Sequence, residues 1–246
     1  MRWPRFPRRR AASPKAEAVA PEAESEAEPA APYARERRGM VATQLEARGV
    51  RDPEVLAAFR TVPRHAFVDE PDPYGDHALP VGSGQTISQP YVVARMTSAA
   101  RPPGGWPDAN VLEIGTGSGY QAALLAEMGA RVTSIERHAA LADEARRRLA
   151  EHGYGDRVEI LVGDGTQGWP AKAPYQSVMV TAGGPSVPQP LLEQLDRSGG
   201  RLVMPVGDRH HQFLTLVERY ESELTSTELE PVVFVPLIGR FGVPEG

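Results

Sequence analysis

A strand-length apolar stretch, residues 110–114, runs directly into Gly115-Thr116-Gly117-Ser118-Gly119, and a helical pattern begins at Tyr120. Few chain geometries accept that order. Glycine tolerates positive φ and lets another group approach the backbone closely. A glycine turn between strand and helix belongs at the carboxyl edge of a parallel sheet, where open α/β folds bind ligands. The residues that follow support this placement. Apolar strand-like runs at 131–135, 158–162, 178–181 and 201–206 alternate with helical patterns at 120–128, 139–152 and 190–195. Such alternation predicts a parallel sheet with helices on both faces. Residues 213–219 and 232–237 read as two further strands with little helix between them, which predicts an antiparallel hairpin at one edge. The expected fold is therefore α/β and Rossmann-like, with a mostly parallel seven-stranded sheet.

Upstream of the sheet the chain reads as a helical extension. Residues 35–48 pattern as a helix ending at Gly49, and Asp52-Pro53 fits an N-cap followed by proline at N1. Pro90 is placed to open another helix, running to about Ala100. Residues 1–34 differ from the rest: arginines gather in the first ten positions, then Ala, Pro and Glu alternate. That composition predicts a disordered tail. With no apolar h-region, and with glutamates present, it reads as neither signal nor transit peptide. The expected organisation is a tail (1–34), a helical and substrate-loop segment (35–105) and a cofactor-binding core (106–246), the last two forming one folded unit.

Composition removes several chemistries. The 246 residues include no cysteine, so disulfides, cysteine-ligated zinc and thiol nucleophiles are excluded. The net charge of −5 and the lack of a long basic stripe in the folded part argue against nucleic acid as a partner. No run is long and apolar enough to span a membrane. No metal is expected, since adjacent His210 and His211 would point apart on a strand and read as solvated. His65 and His77, with no nucleophile elbow in the chain, read as structural.

The glycine loop reads G-x-G-x-G, and Tyr120 stands where the dinucleotide fingerprint needs its last glycine. Glu113, just ahead of the loop, would repel a pyrophosphate but could accept a hydrogen bond from an ammonium group. S-adenosylmethionine carries an ammonium, a sulfonium and no phosphate, and fits better. Glu136, with Arg137 beside it, closes the second strand about 20 residues on, where a carboxylate can accept ribose hydroxyls. Asp164, between Gly163 and Gly165 after the third strand, could accept from the adenine amino group. Three acids in register with one glycine loop identify S-adenosylmethionine as the cofactor, held by Glu113, Gly115, Thr116, Gly117, Gly119, Glu136, Arg137, Asp164 and Gly165.

Residues 76–91 are rich in glycine and small hydroxyls. By composition they form a loop into a helix, with Thr86 or Ser88 tying the helix start. Small hydroxyls beside a cofactor cleft could equally orient a substrate carboxylate. Thr86-Ile87-Ser88-Gln89-Pro90, Leu112 through Tyr120, Gly163-Asp164-Gly165 and Gly200 through Gly207 resemble the protein-L-isoaspartate O-methyltransferase family. Val62 through Val68 and Val235-Pro236-Leu237 match in the same order, so the resemblance spans roughly residues 37 to 240. The glycine motif is shared by many methyltransferases, whereas the Thr-Ile-Ser segment is specific to this family.

The resemblance implies a class I methyltransferase that repairs damaged proteins and peptides. It implies transfer of a methyl group from S-adenosylmethionine to the free α-carboxylate of L-isoaspartyl residues, the ester then collapsing to a succinimide. It implies Ser88 as the active-site residue, with Gln85, Thr86 and Ile87 in the loop between cofactor and substrate. The expected enzyme is a cytoplasmic monomer. Three departures from the family pattern stand out: Tyr175-Gln176, where aspartate commonly follows the aromatic; Ala182-Gly183-Gly184, in place of alanines; and Asp196 through Gly200, in place of Lys-Pro-Gly-Gly. The glycine pair predicts a looser wall on the substrate side. Two other readings stay open: a relative that methylates an aspartate of one dedicated peptide, and a non-catalytic cofactor-binding adaptor.

Overall fold

The computed structural model describes residues 33–245. The expected tail lies outside the described residues as far as position 32, while Ala34 already opens a helix. That helix, α1 (Ala34–Met40), continues through a π-type turn (Val41–Leu45) and a 3-10 turn (Glu46–Arg48). It stops at Gly49, whose φ of 90° suits a residue without Cβ. Helix α2 (Pro53–Thr61) starts as expected, with Asp52 accepting from the amides of Glu54 at 3.0 Å and Val55 at 3.3 Å. A short antiparallel pair follows, β1 (Leu79–Gly82) and β2 (Gln85–Ile87), and then α3 (Pro90–Ala100).

The pair β1–β2 was not expected from the sequence. Each strand is too short to show an alternating pattern, and the ribbon is recognisable only by its turn. Ser83 (φ 51°) and Gly84 (φ 69°) both take positive φ, the geometry of a tight two-residue hairpin turn. Thr86 and Ser88 do not cap α3; its N-cap is Gln89, with no side-chain bond to the helix start.

The large sheet consists of β3 (Asn110–Ile114), β4 (Arg131–Glu136), β5 (Val158–Val162), β6 (Ser177–Val180), β7 (Ser198–Gly207), β8 (Gln212–Tyr220) and β9 (Glu223–Val232). Helices α4 (Tyr120–Glu127), α5 (Ala139–Glu151) and α6 (Gln189–Glu193) lie between its strands. The strand order is β5-β4-β3-β6-β7-β8-β9, parallel through β7 and antiparallel across β7–β8 and β8–β9. This is the expected mostly parallel, seven-stranded α/β sheet with an antiparallel edge.

The last strand is displaced from its expected place. Of residues 232–237 only Val232 belongs to it; the preceding polar segment forms the rest of β9, exposed along most of its length. A ribbon strand at a sheet edge buries little, so it carries no apolar signature. Residues 233–237 are apolar for a different reason. They cross the carboxyl edge of the sheet and bond to Gly183, whose amide donates to Val235 at 2.8 Å and whose carbonyl accepts from Leu237 at 2.7 Å.

Successive residues of each strand feed opposite cores, as a period of two requires. Val111, Val132, Met179 and Val203 pack with buried residues of α1 through α5. Leu112, Val178, Leu202 and Met204 pack on the other face with Leu191 of α6, Leu195 and Leu237. Helical cover is thus lopsided, and the carboxyl edge on the second face is closed by extended chain. Replacing Asp52 with alanine is expected to cost about 1 kcal/mol of unfolding free energy, the usual loss for an N-cap. Asp52→Asn should retain most of it. Urea titrations with matched slopes measure both, and equal midpoints for wild type and alanine variant would remove the cap from the account.

Candidate active site

The loops leaving β3 and β6 diverge, because β4 neighbours β3 on one side and β6 on the other. Such a switch point leaves a crevice at the carboxyl edge. One cavity fills it. Gly115, Thr116, Gly117, Glu136, Arg137 and Gly165 line its sheet side, and Gln85, Thr86, Ile87 and Ser88 line the opposite wall. Glu113, Gly119 and Asp164 do not line it, and their positions differ from what the sequence suggested.

The glycines have separate jobs. Gly115 has φ 91°, and a Cβ there would overlap the Thr181 hydroxyl, which donates to the Gly115 carbonyl at 2.8 Å. Gly117 has φ 53° with nothing within 4 Å of a Cβ position, so its backbone faces open cavity. Gly119 caps α4, and a Cβ there would press on Ala145 and Leu149 of α5. Its role is helix packing. Gly165 lines the cavity with no room on its other side, because a Cβ would overlap Ile114.

Glu113 lies beneath the loop and is fully buried. The hydroxyl of Ser134 donates to its Oε2, and Thr116 Oγ1 sits 2.6 Å from the same Ser134 oxygen. A chain of hydroxyls therefore links the cavity wall at Thr116 to the carboxyl. Oε1 has no partner among the described residues. Burial pushes the Glu113 carboxyl up to about 8; the Ser134 bond opposes the shift and the Glu136 charge adds to it. Glu113 thus sits behind the loop, linked to the cavity wall through Ser134 and Thr116.

Glu136 is also buried, but it reaches the cavity. Its Oε2 accepts from the Gly117 amide and its Oε1 from the His138 amide, each at 2.9 Å. A carboxylate offers about four acceptor positions, so each oxygen keeps one for a hydroxyl. Asp164 is engaged differently. It accepts from the Thr166 amide (2.9 Å) and hydroxyl (2.6 Å), from Gln167 (3.1 Å) and from the Arg240 amide (2.9 Å). Burial works against its charge, but these bonds outweigh it and hold the carboxyl below its ordinary value. Its acceptor positions are spent on the protein, and it faces a neighbouring depression beside Trp169, Arg240 and Phe241.

On the opposite wall, Thr86 and Ser88 line both this cavity and an adjoining groove that includes His77, Phe213 and Val233. Among the described residues the Ser88 hydroxyl makes no hydrogen bond, while its carbonyl accepts from Arg64 at 2.8 Å. Arg64 is fully buried, and burial lowers its guanidinium to about 10. Several lining residues were not expected. Thr181 and Ala182, at the end of β6, could have been inferred from the edge rule that placed Glu136. Phe234 through Ile238 also line the cavity, and among them Val235-Pro236-Leu237 carried resemblance but no assigned role.

Two of the departures from the family pattern resolve as well. Gln176 lies at the far end of the sheet, where its Oε1 accepts from the Asn110 amide at 2.8 Å. The glycine pair does not loosen the wall. Gly183 ties the C-terminal segment through two bonds, and the Gln212 amide fills the space a Cβ would take. Gln212 in turn accepts from the Phe234 amide at 2.8 Å.

A glycine-lined crevice at the switch point, an acid closing β4 and an antiparallel edge after five parallel strands together define a Rossmann-like class I methyltransferase. A family model described as Protein-L-isoaspartate(D-aspartate) O-methyltransferase matches residues 36–242. The chain belongs to that family. A protein-L-isoaspartate O-methyltransferase from Methanoregula boonei is 52% identical over 216 residues, covering 86% of this chain and 97% of its own. One from Methanospirillum hungatei is 53% identical over 210 residues, covering 84% and 95%. A solved protein-L-isoaspartate O-methyltransferase matches with a TM-score of 0.73 at 27% identity, over 84% of this chain and 67% of that one. A Plasmodium falciparum structure, solved with S-adenosyl-L-homocysteine, has a TM-score of 0.70 over 82% and 98%; at 22% identity it speaks for the fold alone.

The cavity suits a small cationic ligand. Its lining combines open backbone at Gly117 and the Glu136 carboxylate with the apolar side chains of Ile114, Ile135 and Leu237. Glu113 adds a testable pH dependence. Its folded value exceeds the unfolded one of about 4.3, so the native state holds an extra proton between about pH 5 and 8. Stability falls as pH rises through that window. Glu113→Gln carries no such proton, and its stability relative to wild type is expected to improve from about pH 5 to 8. Urea unfolding across that range measures the difference, and parallel curves would contradict a buried, protonated Glu113.

Proposed function

We propose that Ser88 and Thr86 hold the carboxylate of an L-isoaspartyl residue against the cofactor cavity, and that the chain methylates it there. The observation that carries this reading is their position, at the junction of the glycine-lined cavity and the adjoining groove. Substrate is the free α-carboxylate of isoaspartyl residues in damaged proteins and peptides. S-adenosylmethionine supplies the electrophilic methyl carbon when bound. Glu136 and the open amide edge at Gly115–Gly117 hold the cofactor, with Thr116, Arg137 and Gly165 completing its walls and Gln85 and Ile87 closing over it.

The chemistry asks little of the protein beyond alignment. An α-carboxylate has an ordinary pKa of about 3.5, so it is a nucleophile at neutral pH and needs no general base. Fixing two reactants in line can supply about 7–11 kcal/mol of the barrier. The Ser88 hydroxyl, without a protein partner among the described residues, is suited to donate to one carboxylate oxygen and aim the other. The cavity walls close around the reacting atoms through Phe234, Val235 and Pro236, which limits water. The methyl ester then makes the α-carbonyl carbon electrophilic, with methoxide as its leaving group. The backbone nitrogen of the following residue attacks that carbon, its proton leaves with methoxide as methanol, and the resulting succinimide hydrolyses in part to normal aspartate. In this reading the enzyme works as a monomer in the cytoplasm, with neither nucleic acid nor membrane as partner. The net charge of −5 supports the exclusion of nucleic acid.

Methyl transfer from labelled S-adenosylmethionine to a pair of synthetic peptides tests this, one with L-isoaspartate and one with normal aspartate. Base-labile label is expected on the isoaspartyl peptide alone. Ser88→Ala should lower kcat/KM for that peptide by about 10- to 100-fold, the scale of a lost alignment, while cofactor affinity stays close to wild type. Label on the aspartyl peptide would move the assignment to a dedicated-substrate enzyme. Cofactor binding with no transfer to either would leave an adaptor.

A further inference from the structure

Arg64 is fully buried, yet among the described residues no carboxylate pairs with it. Removing a cation from water without a counter-ion is costly, and proteins keep such groups only where hydrogen bonds and packing hold them. What holds this one is specific. Nε donates to the Pro73 carbonyl and Nη2 to the Ser88 carbonyl, each at 2.8 Å. The guanidinium carbon stands 5.1 Å from the ring centroid of Tyr120, the first residue of α4 and one of the residues that line the cofactor cavity. One planar group therefore touches the loop before the β1–β2 hairpin, the loop after it and the helix behind the glycine turn.

Arg64 is itself anchored. It begins the 3-10 turn Arg64–Phe67, and Arg148 of α5 donates to the Phe67 carbonyl at 2.5 Å and pairs with Asp69 at 2.8 Å. Phe67 packs on Tyr120 with ring centroids 5.7 Å apart. The hairpin loop is otherwise tied by side chains mainly on its entering side, where Gln44 donates to the Tyr74 carbonyl and Arg48 pairs with Asp76, each at 2.8 Å. On the side of Ser88, Gln89 donates to the Asp76 carbonyl at 2.9 Å, within the same segment. The rigid side of the contact is the α4–α5 body, and the side being held is the Ser88 loop.

We propose that Arg64 is a positioning residue for methyl transfer: its buried guanidinium fixes the Ser88 backbone relative to the glycine-turn helix, and so sets where the Ser88 hydroxyl meets the substrate carboxylate. The proposal rests on the role given above to the Thr86–Ser88 loop. Lysine cannot substitute, because a single ammonium lacks the fork that reaches two carbonyls while stacking on a ring.

The test uses Arg64→Lys in the full chain. S-adenosylhomocysteine binding is measured by calorimetry, isoaspartyl-peptide kinetics by label transfer, and local opening by hydrogen exchange. Cofactor-product affinity is expected within a few-fold of wild type, with kcat/KM for the peptide down about 10- to 100-fold. Amides of residues 84–92 should exchange faster while those of β3 and α4 keep their protection. Adding Arg64→Lys to Ser88→Ala should then cost much less than adding it to wild type, since both act at one contact. Unchanged peptide kinetics, an equal loss of cofactor affinity, uniform exchange or multiplicative effects in the double variant would each overturn the proposal. If wild type leaves the isoaspartyl peptide unmethylated, the functional reading falls, and the exchange pattern alone decides whether Arg64 holds the loop.

Discussion

The crevice depends on one close approach, that of Thr181 to the backbone of Gly115. The Thr181 hydroxyl sits where a Cβ would be and donates to the Ile114 and Gly115 carbonyls at 3.0 and 2.8 Å. The Ile114 carbonyl also accepts from the Thr181 amide at 2.9 Å, so what the hydroxyl adds to the ladder is the tie to Gly115, one residue past the last β3–β6 pair. Only glycine permits this tie, and only with φ near 90°. Once it forms, the chain leaving β3 turns toward β4, and Gly117 donates to Glu136 at the end of that strand. The space between the two departures becomes the cavity.

Around that crevice the protein manages three buried or half-buried charges in three ways. Asp164 is satisfied by four hydrogen bonds and stays ionised, fixing the segment around Arg240. Glu113 has one partnered and one orphaned oxygen, and burial favours its neutral form. Glu136 lies between these extremes, with a backbone donor on each oxygen and a face toward the cavity. Of the three, Glu136 is the one that lines the cavity, so what a ligand meets there follows from how each acid is solvated rather than from how many acids are present.

Much of this was legible in the sequence, and what was not has identifiable causes. Proline at positions 53 and 90 marked helix starts, because its fixed φ and missing donor suit the first turn. Gly115 through Gly119 and Glu136 lay at the correct edge because strand ends point there. Which side of the loop an acid faces is a different matter. Glu113 and Ile114 occupy adjacent strand positions, so one entered the core side and the other the cavity, and only the register with β4 and β6 decides which. The bonds that Asp164 makes within the protein were not legible in full, because one partner, the Arg240 amide, lies far along the chain. The β1–β2 ribbon and β9 escaped because neither buries an alternating face. Arg64 stood in a matched segment with no chemical reason to single it out until its burial was known.

That last case bears on how the active-site loop can be both accessible and exact in position. On the proposed role, Ser88 lies at a cavity mouth to meet a peptide, so it cannot be held by being buried in the core. On the same role its hydroxyl stays unbonded for the substrate, which removes the side chain as an anchor. Only the backbone is left, and a carbonyl at a loop is held firmly by a donor that is itself immobile. Arg64 meets that requirement because it is packed on Tyr120 and seated on a turn pinned by Arg148. The far wall solves the same problem with an amide: Gln212 holds both the N–H and the carbonyl of Phe234, and Gly183 makes room for it. Both walls of the cleft are therefore fixed by buried polar side chains gripping exposed backbone. The Ser88 hydroxyl is left free of internal bonds among the described residues, so on the proposed role its hydrogen-bonding capacity remains available to the arriving carboxylate.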